Sequence, residues 1–287
     1  MTFIVANSAF AQAQVHPPAP GQNLLENLKQ IPVDLELVLA VDVSSSMDKD
    51  EQKLQRDGYV AALRHPAILA AIDAGSIGTI AITYVEWGAS WKITTVLDWT
   101  LLKTRKDAID AANALASKPI STANSTSISS VLAAAATMLE ENRYFGKRRV
   151  IDISGDGPNN VGPAVVVARA DVLSRGIEIN GLPILIKQGR GGFQIDNLDL
   201  YYRECVVGGP SAFVIPVYDK NRLASTILQK MVLEIAGRMP AKDALVHLVA
   251  NKIPALDKKL APGFVPKMDC MIGEKQLDDF MRSLGFE

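Results

Sequence analysis

The stretch Leu35-Glu36-Leu37-Val38-Leu39-Ala40-Val41-Asp42-Val43-Ser44-Ser45-Ser46 decides the fold. Seven residues, nearly all apolar, run without a break and then give way to one carboxylate and three hydroxyls. A continuous apolar run of this length suits a strand covered on both faces. Asp42, Ser44 and Ser46, spaced i, i+2 and i+4, would leave such a strand and converge in a single loop. Oxygen-only ligands of this kind suit a hard divalent cation such as Mg²⁺. The competing reading is a helix N-cap, because Ser and Asp also cap helices.

Outward from this segment, apolar strands alternate with helical patterns, which predicts βα units around a parallel sheet. The strand Asp34 to Val43 is followed by a helix from about Asp48, and Pro66 starts a short second helix, Ala67 to Asp73. Gly78 to Trp87 reads as a strand, and Trp91 to Asp98 as its antiparallel neighbour after a Gly88-Ala89-Ser90 turn. Helices are expected at Arg105 to Ala116, Ser127 to Asn142, Pro163 to Ser174 and Asn221 to Arg238. Strands are expected at Lys147 to Ser154, Ile177 to Ile186 and Ala212 to Val217. The reading is a doubly wound α/β domain over residues 32–238, after a leader and linker over 1–31 and before a tail over 239–287. The tail carries helical candidates at Lys242 to Asn251 and Glu274 to Leu284 and reads as an appended segment.

Two further segments point at the site begun by Asp42. Ser125-Thr126-Ser127-Ile128 opens a helix, and Ser154-Gly155-Asp156-Gly157-Pro158 lies just past an apolar strand. In doubly wound sheets, ligands bind beyond the carboxyl ends of the strands. The loops holding Asp42 and Asp156 both lie there, and Thr126 can reach the same edge. Two carboxylates brought together repel unless a cation or protons intervene. A divalent ion is the economical account. Asp152, inside the strand, reads either as bonded to a neighbouring loop or as support behind the metal site. Asp48 reads as a helix-start carboxylate rather than a ligand.

These residues resemble the metal-ion-dependent adhesion site of the von Willebrand factor type A superfamily. That family's motif is Asp-x-Ser-x-Ser, a distant Thr and a distant Asp, here matched by Asp42, Ser44, Ser46, Thr126 and Asp156. The resemblance covers about Pro32 to Arg238. It implies a mostly parallel sheet flanked by helices, with the ion at its top edge. It also implies direct coordination by Ser44, Ser46 and often Thr126, with Asp42 and Asp156 acting mainly through waters. The ion expected is Mg²⁺, with Mn²⁺ or Ca²⁺ as alternatives. The chain looks closest to a bacterial branch of the superfamily with no assigned function. Val85-Glu86-Trp87, Ile151 to Gly157 with Asn159-Asn160, Tyr202-Arg203-Glu204-Cys205 and Gly208-Gly209-Pro210 carry that closer likeness. Two positions depart from the family pattern. Ser125 stands where Gly often precedes the Thr, and Gly155 stands where Thr or Ser often precedes the last Asp.

The expected function is a non-enzymatic, cation-dependent protein-binding module whose partner supplies a carboxylate to the ion. A metal-assisted hydrolase of phosphoesterase type, or a subunit of an intracellular assembly complex, are the alternatives. The histidines His16, His65 and His247 show no placement beside a nucleophile, which argues against a Ser-His-Asp hydrolase. No Cys-x-x-Cys pair or His-Glu-x-x-His supports zinc chemistry. Gly189-Arg190-Gly191-Gly192 lacks a nucleotide-binding spacing and reads as a loop. A formal net charge of −1 gives no basic stripe for nucleic acid. No uncharged apolar run reaches the roughly 18 residues of a membrane span.

Met1 to Ala13 ends in small-x-small patterns at Ala9-Phe10-Ala11 and Ala11-Gln12-Ala13. Those patterns suit a secretory leader and a periplasmic or secreted location. A mildly apolar arm on a cytoplasmic protein is the alternative. An exported chain could pair Cys205 with Cys270 and tie the tail to the domain; two cysteines leave paired and free forms both open. Trp87, Trp91 and Trp99 gather on one hairpin and read as core packing, with an exposed recognition surface as the alternative.

Overall fold

The computed structural model describes residues 30–186, 194–237 and 267–285. The leader, the glycine-rich stretch 189–192 and the expected helix over 242–251 lie outside them. Among the described residues five strands form one sheet, in the order β3-β2-β1-β4-β5. They are β1 (Ile31–Asp42), β2 (Ile80–Trp87), β3 (Ile93–Leu102), β4 (Tyr144–Gly155) and β5 (Glu178–Pro183). All neighbours run parallel except β3, which is antiparallel to β2. The topology is the doubly wound α/β arrangement of a von Willebrand factor type A-like domain.

The helices cover both faces. They are α1 (Lys49–Arg64), α2 (Pro66–Asp73), α3 (Arg105–Ser117), α4 (Ile128–Glu140), α5 (Val165–Ser174), the single turn α6 (Leu198–Tyr201), α7 (Leu223–Ala236) and α8 (Ile272–Ser283). In β1 the period-2 alternation sorts the apolar run. Leu35, Leu37, Leu39 and Val41 face a layer with Tyr59 and Leu63 of α1, Ile68 of α2 and Ile227 of α7. Val38 and Ala40 face the other layer, with Val131 and Leu132 of α4 and Val172 of α5. This two-sided burial is why the run Leu37 to Val41 carries no polar residue.

The caps follow the sequence. Asp48 caps α1 in a reciprocal capping box with Glu51, and Pro66 opens α2 behind His65, whose Nδ1 accepts from Ala67 N at 3.2 Å. Gly237 ends α7 at φ 69°, a left-handed position that glycine tolerates. One expected strand is absent. Ala212 to Val217 makes only isolated bridges, Val214 to Gly181 of β5 and Val217 to Ile184 just past its end. Pro183 has no N–H to give to Ile215 O, so the rung between the Gly181 and Leu185 bonds is missing and the ladder is interrupted. The chain still runs beside β5, with Ile215 N donating to Gly181 O at 3.0 Å and Val217 N to Pro183 O at 2.9 Å.

The sheet order reverses between β1 and β4. Asp42 ends β1 and Asp156 follows β4, so the topological switch point of the fold holds both carboxylates.

Candidate metal centre

Three loops build the site. The first leaves β1, where Ser44 N donates to Asp42 Oδ1 at 2.7 Å and folds the serine loop back on its own aspartate. Gln52, one turn into α1, holds that loop from below, its Nε2 donating to the carbonyls of Val43, Ser44 and Met47 at 3.1–3.3 Å. The second loop runs from α3 to α4. Ala123 N donates to Val43 O at 3.0 Å, zipping this loop onto the first. The third follows β4 and is tied to the second by Asn160, whose Oδ1 accepts from Thr126 N and whose N donates to Thr126 O, both at 2.9 Å.

The side chains of Asp42, Ser44, Ser46 and Asp156 come together at this edge. Ser44 Oγ lies 2.8 Å from Ser46 Oγ, and Ser46 Oγ donates to Asp156 Oδ1 at 2.5 Å. Thr126 is buried at the rim of the third loop, its Oγ1 3.9 Å from where a Cβ on Gly157 would stand. Gln194 Nε2 donates to Asp156 Oδ2 at 3.2 Å. Asp42 is wholly buried, and its Oδ2 has no hydrogen-bond partner. Burial, then the neighbouring Asp156 charge, push its carboxyl up to about 8.

Those features test whether a cation fits. A buried carboxylate oxygen without a partner costs on the order of 1–3 kcal/mol or more when charged. It lies beside a second carboxylate and two hydroxyls, a set that satisfies a hard divalent cation. Among the described residues no three His, Cys, Asp or Glu gather as a metal cluster. A site built here would instead combine hydroxyls with paired carboxylates. Asp42, Ser44, Ser46, Thr126 and Asp156 are the residues that would hold it.

One contributor escaped sequence reasoning. A Cβ on Gly155 would stand 2.8 Å from Asp42 Oδ2 and 2.9 Å from Tyr202 Oη. Glycine at 155 therefore makes room for a tyrosine hydroxyl beside the buried aspartate. Tyr202 is itself wholly buried, with an unpartnered Oη. Burial, then the Asp42 and Asp156 charges, hold its phenol well above the usual value. The sequence marks Tyr202 only as part of Tyr202-Arg203-Glu204-Cys205; nothing local announces that it reaches the opposite loop.

Behind the site lies a buried polar network on α1. Gln55 Nε2 donates to Ser154 Oγ at 2.7 Å. Tyr59 Oη lies 3.4 Å from both Asp152 Oδ2 and Ser154 Oγ. Asp152 pairs with Lys230 of α7, which also pairs with Glu234. The partners of Asp152 are thus residues of helices α1 and α7 rather than of a loop. Arg56 pairs with Glu86 and donates to the carbonyls of Leu115 and Lys118. Glu86 accepts from both N and Oγ of Ser121.

The tryptophans divide. Trp87 is fully buried and Trp99 stacks at a tilt on Tyr144, but Trp91 is 82% exposed, which overturns core packing at that position. It sits in the turn beyond β2, where no second layer covers it. That turn touches the site's second loop, because Gly88 O accepts from Ser127 N at 2.7 Å and Ser90 Oγ donates to Ser127 Oγ at 3.2 Å.

Cys205 and Cys270 form a disulfide, with Cα atoms 5.5 Å apart.

Residues 32–239 match the sequence profile described as Protein of unknown function (DUF1194). The chain belongs to the DUF1194 family. No curated protein matches this DUF1194 chain by sequence. Among solved structures, it resembles proximal thread matrix protein 1 from the mussel byssus, with a zinc-occupied MIDAS motif, at TM-score 0.52 and 14% identity; the match covers 72% of this chain and 49% of that one. The pilus adhesin SpaC from Lactobacillus rhamnosus GG matches at TM-score 0.53 and 14% identity, over 72% of this chain and 31% of that one. A von Willebrand factor type A protein from Catenulispora acidiphila matches at TM-score 0.48 and 15% identity, over 71% and 43%. The DUF1194 chain thus spans about half or less of the length of these structures. At such identities the likeness is one of fold.

Proposed function

We propose that this DUF1194 chain is a non-enzymatic, divalent-cation-dependent protein-binding module. The observation that carries the reading is the convergence of Asp42 and Asp156 on the Ser44 and Ser46 hydroxyls, with Asp42 Oδ2 buried and unpartnered. A cation held there relieves the carboxylate repulsion and supplies an electrophile at the sheet's edge. With hydroxyls as the nearest donors, its charge is only partly neutralised, and it attracts a carboxylate from a partner protein. The fold likeness to an adhesin and to a matrix protein with a zinc-occupied MIDAS motif supports this reading. Mg²⁺ is the proposed ion.

The disulfide supports an oxidising compartment, periplasmic or secreted. No helix among the described residues is long and apolar enough to cross a membrane.

The test is calorimetric titration of the full chain with Mg²⁺, Mn²⁺, Ca²⁺ and Zn²⁺, beside Asp42→Ala. Saturable binding by the wild type that disappears in the variant is the expected result. Absence of binding by any of the four ions, or equal binding by the variant, overturns the reading.

A further inference from the structure

We infer that the C-terminal helix α8 positions the cation site, through Asn159. The inference rests on reading Asp42, Ser44, Ser46, Thr126 and Asp156 as that site, and it assigns a role to a tail that no motif residue occupies.

Asn159 follows Asp156 by three residues and is completely buried. Every polar group of its side chain is engaged. Oδ1 accepts from Ser129 N at 2.9 Å, at the start of α4. Nδ2 donates to Pro163 O at 3.3 Å and to Glu274 Oε1, in the first turn of α8, at 2.7 Å. Its backbone N donates to Tyr201 Oη at 3.1 Å. The adjacent Asn160 clamps Thr126 through both backbone groups. Asn159 and Asn160 thus join the loop of Asp156 to the loop of Thr126, and the tail helix holds one end of that joint.

The contact is close. A Cβ on Gly273 would stand 2.1 Å from Asn159 O and 3.0 Å from Pro158 Cγ, so the start of α8 rests directly on the backbone of the third loop. The tail is fastened from the other side as well. Cys270 is bonded to Cys205, Met268 N donates to Glu204 Oε2 at 2.7 Å, and Met268, Cys270 and Ile272 pack against the cluster containing Tyr201, Tyr202 and Cys205. The segment that anchors the tail is therefore the one whose Tyr201 touches Asn159 and whose Tyr202 stands beside Asp42.

Without the tail, Asn159 Nδ2 keeps only the longer bond to Pro163 O. The third loop then has more conformations to lose when an ion binds. Groups that orient metal ligands from behind typically alter affinity 10–100-fold when removed.

Three variants separate position from folding. Gly273→Ala improves intrinsic helix propensity while forcing α8 off Asn159. Glu274→Leu removes the acceptor, and Glu274→Gln retains one. The full-length chain and each variant are titrated with Mn²⁺ and Mg²⁺, with Asp278→Ala on the exposed side of α8 as control. Hydrogen exchange is followed over residues 126–129 and 156–160. The expected result is roughly 10-fold weaker ion binding in Gly273→Ala and Glu274→Leu. Near-wild-type binding is expected in Glu274→Gln and Asp278→Ala, with faster exchange in the two loops only where binding weakens. Wild-type binding retained within twofold by Gly273→Ala and Glu274→Leu overturns the inference and leaves the cation site standing. Failure of the wild type to bind either ion overturns the cation site and the inference with it.

Discussion

Asp42 ties the site to pH. Its carboxyl, ordinarily near 3.8, is pushed up to about 8 by burial and by Asp156. The folded, ion-free protein therefore holds a proton that the unfolded chain releases some four pH units lower. This contribution to stability is fully present below about pH 4 and is lost as pH rises through about 8. The slope for one proton cannot exceed about 1.4 kcal/mol per pH unit. Thermal melts in EDTA from pH 5 to 8.5 should show Tm falling, with Asp42→Asn removing part of the fall. On the proposed function a bound cation would compete with that proton, so Mg²⁺ should raise Tm more at pH 8 than at pH 5.5. Glu234, raised to about 7 by burial and the charge of Asp152, titrates in the same range. The difference between wild type and Asp42→Asn is thus the decisive quantity. An identical slope in both would assign the titration elsewhere. Gly155 gives a second test at this scale. Gly155→Ser places a Cβ against Asp42 and Tyr202 and should cost about 1–3 kcal/mol in urea denaturation, part of it recovered by Tyr202→Phe. The Asp42-to-Ser46 pattern and Asp156 were legible because their chemistry is local. Tyr202 was not, since only the folded chain brings it across to β1.

At the scale of elements, α1 shows what periodicity conceals. Gln52, Gln55, Arg56 and Tyr59 fall on one helical face, i, i+3, i+4 and i+7, and all four are buried. Three polar residues in such a stripe read as a solvated face. Here they meet the ends of three chain segments instead: Gln52 the serine loop, Gln55 the end of β4, and Arg56 the start of the loop that carries Thr126. The helix itself was legible from Asp48 and Pro66, whereas the inward turn of its polar stripe depends on partners distant in sequence. Ala212 to Val217 misled in the opposite sense, its apolar residues suggesting a ladder that Pro183, which has no N–H to donate, interrupts. The α1 stripe yields a prediction. Arg56→Met leaves Glu86 buried without its guanidinium and should cost about 3–5 kcal/mol. Arg56→Met with Glu86→Gln should cost less than Arg56→Met alone, because no uncompensated charge is left behind. A double-mutant cycle in urea measures the coupling; purely additive losses would show that the pair is not the hub of this corner.

Across the whole molecule, the disulfide separates two levels of stability. Its halves lie 65 residues apart in sequence, so closing the loop is worth about 4 kcal/mol on the chain-entropy account. That stabilisation acts on the docking of residues 267–285. Beyond the disulfide, their anchors include the Glu204 and Asn159 bonds and the partly buried Met268 and Ile272. The central strands make none of these contacts. β1 is paired on both sides, by β2 and β4, and its Leu37, Val38, Leu39 and Ala40 are fully buried. Reduction with a dithiol should therefore release the tail before it unfolds the sheet. Under reducing conditions at neutral pH, hydrogen exchange should quicken over 267–285 and in the loop around Asn159. The amides of β1 and β4 should stay protected, and the fraction of reduced chains with an undocked tail should match that found for Cys270→Ser. Simultaneous loss of protection in β1 would mean that the tail is integral to the core and that the disulfide stabilises the domain as one cooperative unit.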